Sequence, residues 1–268
     1  MLTVEEAKSF QKNLLETGGY QTDPNHPVSL LGRCDWWYKL RLLKFLVDGN
    51  LLVRKGGYDE AGQSAHSYTY LKIIEDCGGK FDISGAKYPD GLDGQPCVFV
   101  GNHMSLVEGF GLPILLLAFN RVAAVAKESL QHYPIFGAIA KSVKPISVKR
   151  VNPREDLKAV LEQGEAMLKD GRSIVLFPQA TRSPTLDRKL FNSLGVKLAK
   201  KANVPIIPLA LKTDFQQNGT VIKDIGPLDR SKRIYFRFGA PLMVEGKGKE
   251  TNIKIMDFIE ASLTEWSS

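Results

Sequence analysis

Cysteine is scarce in this chain of 268 residues, which contains only Cys34, Cys77 and Cys97. Three cysteines are an odd number, and their wide spacing argues against a disulfide framework and against a C-x-x-C metal site. The cysteine content therefore predicts that the protein lies in a reduced compartment that faces the cytoplasm.

Long apolar runs are missing as well. The longest charge-free apolar stretch, residues 109–120, has 12 residues, whereas a helix that spans a bilayer needs about 20. Residues 1–30 carry six charged side chains and no apolar block, unlike a secretory signal. The sequence predicts neither a signal peptide nor a transmembrane helix, and any membrane association should be peripheral.

Several catalytic signatures are also absent. The sequence has no G-x-S-x-G elbow, no complete G-x-G-x-x-G, no P-loop and no H-E-x-x-H. These motifs build serine-hydrolase, dinucleotide, phosphate-binding and zinc sites, respectively. Serine-hydrolase, nucleotide-hydrolysis and metal chemistry therefore lose their main support, and we expect no metal.

Basic residues outnumber acidic residues in the sequence. The formal net charge is +7 and the pI is about 9.2, while the 43% hydrophobic and 24% charged content is that of an ordinary globular protein. Such a surface attracts anionic lipid headgroups, nucleic acid or phosphorylated small molecules. Because no recognition motif interleaves aromatic and basic residues, we do not expect nucleic acid to be the partner.

Strand and helix signals alternate through much of the chain. Apolar runs occur at residues 122–126, 145–148, 174–177, 204–211 and 234–238. Asn152 and Pro153 offer an N-cap and a first-turn proline for a helix that ends near Gly171. This alternation predicts an α/β fold with a mostly parallel central sheet flanked by helices. We expect an N-terminal helical region with a lead-in strand at residues 1–90 and an α/β core at residues 91–268.

Residues 36–53 have the pattern of an amphipathic helix. On a helical wheel Trp36, Leu40, Leu43 and Val47 form one apolar stripe beside a polar one. Adjacent tryptophans at the start of a basic amphipathic helix are typical of a segment that lies in a membrane interface. A helix that packs on the domain with its tryptophans inside is an equal alternative at this point.

The central motif follows a short buried strand predicted at residues 97–100. Ser105 and Glu108 have the spacing of a capping box, which predicts that a helix begins at Ser105 and leaves His103 in the strand-to-helix turn. The carboxylate can then reach back to the imidazole, as a general base and its orienting partner require. Two simpler interpretations remain open: Glu108 only caps its helix, and His103 only satisfies a carbonyl of the turn.

Basic residues follow other predicted strands. Lys127, Arg150 and Arg182 each come shortly after such a strand, as His103 does. Ligands of open α/β sheets bind at the carboxyl edge of the strands, so we expect these four residues to line one rim. Arginine as a two-pronged donor and lysine as a point charge would suit a phosphate there.

Four sequence blocks stand in order between residues 102 and 208. The first is Asn102-His103, followed by four residues and the acid Glu108. The others are the stretch 127–150, which begins Lys-Glu-Ser-Leu, the stretch 177–183 (Phe-Pro-Gln-Ala-Thr-Arg-Ser), and the apolar stretch 204–208 with its two prolines. Together they resemble the motifs of the glycerolipid acyltransferases typified by lysophosphatidate acyltransferase, and they leave residues 1–90 uncovered.

The resemblance implies a glycerol-phosphate-acyltransferase-like fold and acyl transfer from acyl-CoA or acyl-carrier protein to a lysophospholipid hydroxyl, with lysophosphatidate as the first candidate acceptor. It implies that His103 takes the hydroxyl proton while Glu108 fixes the imidazole tautomer. The implied partners are the lipid acceptor, the acyl donor and an anionic membrane surface, with no further cofactor. The residues implied to bind substrate are Asn102, Ser105, Lys127, Arg150, Gln179, Thr181, Arg182 and Ser183.

Two departures from the family pattern affect this interpretation. Glu108 stands where the family usually has aspartate, and Gln179-Ala180 replaces Glu-Gly in the block that the resemblance assigns to acceptor binding. A lyso-ornithine lipid, another lysolipid or a glycolipid therefore stays an alternative acceptor. A noncatalytic peripheral lipid-binding protein, in which Glu108 no longer serves His103, is the alternative outside enzymes.

Overall fold

A mixed β-sheet forms the centre of the computed structural model, which describes residues 1–179, 181–219 and 225–267. Its strands are β1 (Tyr20–Gln21), β2 (Phe81–Ser84), β3 (Val98–Gly101), β4 (Val122–Lys127), β5 (Ile146–Val148), β6 (Ser173–Leu176), β7 (Ile206–Lys212) and β8 (Ile234–Phe238). The α-helices are α1 (Val4–Thr17), α2 (Asp35–Arg54), α3 (Glu60–Asp76), α4 (Lys87–Asp90), α5 (Val107–Leu116), α6 (Phe136–Ser142), α7 (Pro153–Lys169), α8 (Leu194–Ala202) and α9 (Lys249–Glu265).

The strands lie in the order β1-β2-β8-β7-β3-β6-β4-β5 within the described ranges. β3 pairs in parallel with both β6 and β7, and β4 pairs in parallel with β5 and β6. The pairs β7–β8 and β1–β2 are antiparallel. The predicted α/β class with a mostly parallel sheet is therefore confirmed, and the carboxyl ends of five neighbouring strands point to one edge.

β3 is buried on both faces, which explains why its sequence is a continuous apolar run. Phe99 packs into a core formed with α2, α3 and α5, where Tyr70 and Phe110 also lie. Val98 and Val100 face a second core on the opposite side, which α7, α8 and α9 complete. Two helical layers thus enclose the sheet, as a parallel sheet requires.

Helix α2 is apolar on two sides. Tyr38, Leu42 and Phe45 are buried in the core beneath it. On the opposite side 57% of Trp36, 50% of Leu40 and 49% of Leu43 is exposed. The predicted outer stripe therefore faces solvent and the packing alternative is wrong for Trp36, while its neighbour Trp37 packs partly against the core.

Local sequence signals explain where other helices begin. Thr3 and Glu6 form a reciprocal capping box at the start of α1, and Asn152 caps α7, with Pro153 as its first residue. None of the helices in the described part of the chain is long and apolar enough to cross a bilayer. The domain division at residue 90 stays a prediction, and β1 and β2 from before it join the same sheet as the later strands.

Candidate active site

The turn after β3 carries the central motif to the carboxyl edge of the sheet. β3 ends at Gly101 and α5 begins at Val107, so His103 lies between them. Asn102 anchors the turn because its side chain donates to the Leu211 carbonyl at 2.7 Å and accepts from the Leu211 N–H at 2.9 Å. The turn is thereby fixed to the neighbouring strand β7.

His103 and Glu108 meet in this turn. The imidazole Nδ1 is hydrogen-bonded to Oε2 of the Glu108 carboxylate. The Glu108 side chain is fully buried, whereas 20% of the His103 side chain is exposed. Because an ionised carboxylate can only accept hydrogen bonds, Nδ1 carries the proton and Nε2 has the lone pair that a general base needs.

Backbone amides hold the Glu108 carboxylate from the side of the turn. The Met104 N–H lies 3.1 and 3.2 Å from its two oxygens, and the Ser105 N–H lies 3.0 and 3.2 Å from them. The predicted helix start at Ser105 is wrong, since α5 begins at Val107 after Leu106. Glu108 accepts from the amides of the preceding turn and from the histidine, so its carboxylate organises both.

The loop after β6 holds His103 from the other side. The Phe177 ring stacks on the imidazole with the ring centroids 4.6 Å apart and the planes 8° from parallel. Gln179 Oε1 accepts from the His103 N–H at 2.9 Å, and the N–H of half-buried Ser183 donates to the His103 carbonyl at 2.9 Å. These contacts fix both the ring and the backbone of His103.

Three residues that the resemblance assigns to substrate binding are buried and support the site from within. Asn102, Ser105 and Gln179 are each 4% exposed or less. Asn102 binds the backbone of β7, Ser105 Oγ donates to Thr213 Oγ1 at 2.9 Å, and Gln179 binds His103. These positions differ from the predicted direct contact with substrate, and Ala180 lies outside the described residues.

Thr213 is a member of the site that the sequence motifs do not include. It is fully buried, and its hydroxyl donates to Oε1 of Glu108. Thr213 directly follows β7. The strand-end rule that points to Lys127 and Arg150 would have pointed to Thr213 as well, had it been applied to β7.

The predicted cations lie at the same edge of the sheet. Lys127 ends β4, Arg150 follows β5 by two positions, and both are exposed. Arg182 is half-buried and lies near Tyr70. Burial raises the pKa of the Tyr70 phenol, and the positive charge of Arg182 opposes that rise. Thr181, beside Arg182, is exposed. Because β4, β5 and β6 run parallel to β3, these residues follow strand ends at the same edge of the sheet as His103.

A family model described as Acyltransferase matches residues 81–212, the segment from β2 to the end of β7. This segment, just under half of the chain, thus resembles the acyltransferase family. The chain is 32% identical over 132 residues to 1-acyl-sn-glycerol-3-phosphate acyltransferase of Pseudomonas aeruginosa, and the aligned segment covers 48% of this chain and 50% of that protein. It is 27% identical over 138 residues to 1-acyl-sn-glycerol-3-phosphate acyltransferase beta of Homo sapiens, which covers 48% of this chain and 49% of that protein. The chain thus spans about half the length of the curated relatives it matches.

The fold of the chain is also similar to a solved structure. The crystal structure of the 1-acyl-sn-glycerophosphate (LPA) acyltransferase PlsC from Thermotoga maritima matches with a TM-score of 0.55 and 18% sequence identity. The match covers 86% of this chain and 98% of that one. At this identity the comparison shows a shared fold.

An apolar cavity of about 140 Å³ adjoins Glu108 and Phe177. It lies between the sheet and the helices α5 and α6. Its apolar lining includes Phe110, Leu116, Val122, Ala124, Ile139 and Val175. Such a lining can hold hydrocarbon beside the catalytic candidates.

A second histidine, His66, also lines this cavity. Its Nε2–H donates to the Phe45 carbonyl at 2.9 Å, its Nδ1 accepts from the Tyr58 hydroxyl at 3.0 Å, and its ring stacks on that of Phe45. Burial lowers the pKa of His66 to about 4. Both ring nitrogens are engaged, so His66 serves the fold. Across the described residues, no three His, Cys, Asp or Glu side chains cluster as a metal site would require.

Proposed function

We propose that this protein is an O-acyltransferase that moves a fatty acyl group from an acyl thioester to the hydroxyl of a lysophospholipid. Lysophosphatidate is the proposed acceptor, and the product is phosphatidate. The observation that carries the proposal is the His103–Glu108 pair at the rim of a domain that resembles the acyltransferase family, with the imidazole partly open to solvent. The names of the relatives support the same acceptor.

The proposed reaction needs one base and no covalent intermediate. His103 Nε2 takes the proton of the acceptor hydroxyl as its oxygen attacks the thioester carbonyl carbon. The C–O bond forms, the C–S bond breaks, and the imidazolium returns the proton to the leaving thiolate. Glu108 keeps Nδ1 protonated and stabilises the imidazolium. A thioester is already activated, so the enzyme gains nothing from first forming an acyl-enzyme.

The basic rim supports a phosphate-bearing acceptor. Arg182 is the proposed headgroup ligand because a guanidinium can bind phosphate with two parallel hydrogen bonds. Arg150, Thr181 and Lys127 lie at the same edge and could add charge and a hydroxyl donor. The acceptor hydroxyl would then reach His103 while the headgroup stays on the rim.

The apolar cavity supports a fatty acyl donor. It lies directly beside Glu108 and Phe177, so a thioester carbonyl placed at His103 could extend its chain into it. Acyl-CoA and acyl-carrier protein share the thioester and the chain, and both are proposed donors. No cofactor beyond this co-substrate is proposed.

The exposed stripe of α2 supports docking on a membrane. Trp36, Leu40 and Leu43 present apolar side chains to solvent, and exposed Lys39 and Lys44 flank them. Apolar insertion together with attraction of lysines to anionic lipid is how interfacial helices bind. We place the enzyme peripherally on the cytoplasmic face of a membrane, where the acceptor lipid is concentrated.

The proposal is tested with the purified full chain and a panel of substrates. Acyl-CoA and acyl-carrier protein thioesters are combined with lysophosphatidate, lyso-ornithine lipid, other lysophospholipids and a glycolipid, and free thiol and acylated lipid are both measured. Acyl transfer to lysophosphatidate above the other acceptors supports the proposal. Transfer only to another acceptor would show that the proposed acceptor is wrong and that the proposed reaction, acyl transfer, is right. Lipid binding without thiol release from any donor would favour a noncatalytic lipid-binding protein.

A further inference from the structure

Thr213, which directly follows β7, connects the turn that carries His103 to that neighbouring strand. Continuing the parallel register in which Gly101 pairs with Leu209 places Ser105 opposite Thr213. A Cβ at Gly101 would lie 2.7 Å from the Leu209 carbonyl oxygen, so glycine permits the close approach of β3 and β7 at this point.

The direction of the hydrogen bonds around Thr213 is fixed by chemistry. The Glu108 carboxylate can only accept, so the Thr213 hydroxyl must donate its single proton to Oε1. Thr213 can then only accept from Ser105 Oγ, which lies 2.9 Å away. Ser105 Oγ in turn accepts from the Val107 N–H at 3.1 Å. Three donors therefore run in one direction and end on the carboxylate, which strengthens each bond in the chain.

The two oxygens of Glu108 have different partners. Oε2 bonds the imidazole and Oε1 bonds Thr213, while the amides of Met104 and Ser105 lie nearly equidistant from both. The amides alone therefore do not determine which oxygen faces His103. The Thr213 hydroxyl, just after β7, bonds Oε1 and thereby leaves Oε2 to face His103. It also braces a glutamate, whose extra methylene gives it one more rotatable bond than an aspartate would have.

We propose that Thr213, supported by Ser105, is a positioning residue that fixes the rotation of the Glu108 carboxylate and thereby the ring of His103. This inference rests on the proposed function for its kinetic consequence. The orientation of Glu108 by Thr213 does not depend on the identity of the substrate and can be tested separately.

Two substitutions separate the hydroxyl from the volume it fills. Thr213→Val keeps the shape and removes the donor, and Thr213→Ser keeps the donor. By analogy with the outer partners of metal-bound histidines, whose removal costs about 10- to 100-fold, we expect Thr213→Val to lower kcat by about that factor with an unchanged KM for the acceptor. Thr213→Ser should retain kcat within a few-fold. Thr69→Val, a half-buried threonine outside the site, is the matched control and should behave as wild type.

The pH profile distinguishes positioning from a packing defect. Without the Thr213 donor the carboxylate becomes more basic and holds the imidazolium proton more tightly. The acid limb of kcat/KM should therefore move to higher pH in Thr213→Val, whereas a packing defect would lower kcat and leave the limb in place.

Proton NMR gives a readout that needs no turnover. The His103 Nδ1–H, hydrogen-bonded to a buried carboxylate, should give a low-field signal that is identified by its loss in His103→Ala. This signal should shift or broaden in Thr213→Val and persist in Thr213→Ser. An unmoved signal in Thr213→Val, or equal kcat losses in the two folded Thr213 variants, would overturn the inference even with His103→Ala inactive. If wild type transfers no acyl group, the proposed function fails and the NMR comparison still decides the role of Thr213.

Discussion

The imidazole of His103 lies flat against the ring of Phe177, with 4.6 Å between centroids and 8° between planes. The stack covers one face of the imidazole, while Glu108 holds its Nδ1 edge. The two contacts together fix the plane of the ring. The orientation of the proposed general base thus depends on the residue that follows β6 as well as on its own turn.

Removing the stack should reduce turnover while the fold stays intact. A stacked ring pair is worth about 0.5–1.5 kcal/mol, so Phe177→Ala is expected to lower kcat by up to about ten-fold. Phe177→Tyr keeps an aromatic face and should stay near wild type. Steady-state kinetics with saturating acceptor measures both. Equal kcat for wild type and Phe177→Ala would show that the stack does not orient the base.

Arg182 should discriminate acceptors by their phosphate. If its guanidinium binds the headgroup, Arg182→Ala should raise the KM for lysophosphatidate strongly and the KM for an uncharged monoacylglycerol little. Arg182→Lys keeps the charge without the two-pronged geometry, so its effect should be intermediate. The ratio of kcat/KM for the two acceptors is the measurement. A ratio that is the same in all three proteins would remove Arg182 from headgroup binding.

The outer stripe of α2 should be needed for membrane binding and dispensable for folding. Leu40→Ser combined with Leu43→Ser replaces two half-exposed side chains, so the melting temperature should change little. Sedimentation with anionic vesicles at low salt should show strong binding of wild type and weak binding of this variant. Met243→Ser, an exposed apolar residue after β8, is the matched control. Binding that is equal in all three would place the membrane contact elsewhere.

His66 should make the fold less stable in mild acid. Burial lowers its pKa to about 4, below the value of about 6.5 for an unperturbed histidine. The unfolded chain therefore binds more protons than the native state between these two values, so the free energy of unfolding falls as the pH drops through that window. The loss at pH 4 amounts to about 3 kcal/mol at 1.36 kcal/mol per pKa unit.

Urea unfolding of wild type and His66→Gln at pH 7 and pH 4.5 measures this contribution. The other titrating groups are common to both proteins, so the difference in their pH dependence isolates His66. The variant should lose less stability on acidification than wild type. Identical losses would mean that His66 is not the group responsible.

The sequence predicted the strands of the site well because their apolar runs are short, continuous and bounded by turn residues. The run at 234–238 coincides with β8, and the run at 122–126 falls within β4. The antiparallel pairing of β8 with β7 was not predictable in the same way, because strand partners are chosen by tertiary packing. α2 was ambiguous for a physical reason: it is apolar on both its buried and its exposed side, so periodicity alone could not assign them.

The motifs indicated the right region more reliably than the role of each side chain. Asn102, Ser105 and Gln179 sit in family blocks, yet each is buried and bonded to the protein itself. The start of α5 was misplaced because Glu108 resembles a capping residue while its carboxylate serves the preceding turn. Thr213 belongs to none of the four sequence blocks, and only its position just after β7 pointed to the site. Its contact with Ser105 could not be predicted, because the two residues are distant in sequence and adjacent only through the β3–β7 register.

The most direct test of the account measures thiol release from an acyl thioester in the presence of lysophosphatidate by wild type, His103→Ala and Glu108→Gln. General-base catalysis contributes about 10²- to 10⁴-fold, so His103→Ala should lower kcat by that factor with an unchanged melting temperature. Glu108→Gln, which removes the charge that stabilises the imidazolium, should also lose at least ten-fold. Near-normal kcat in folded His103→Ala would contradict the central claim.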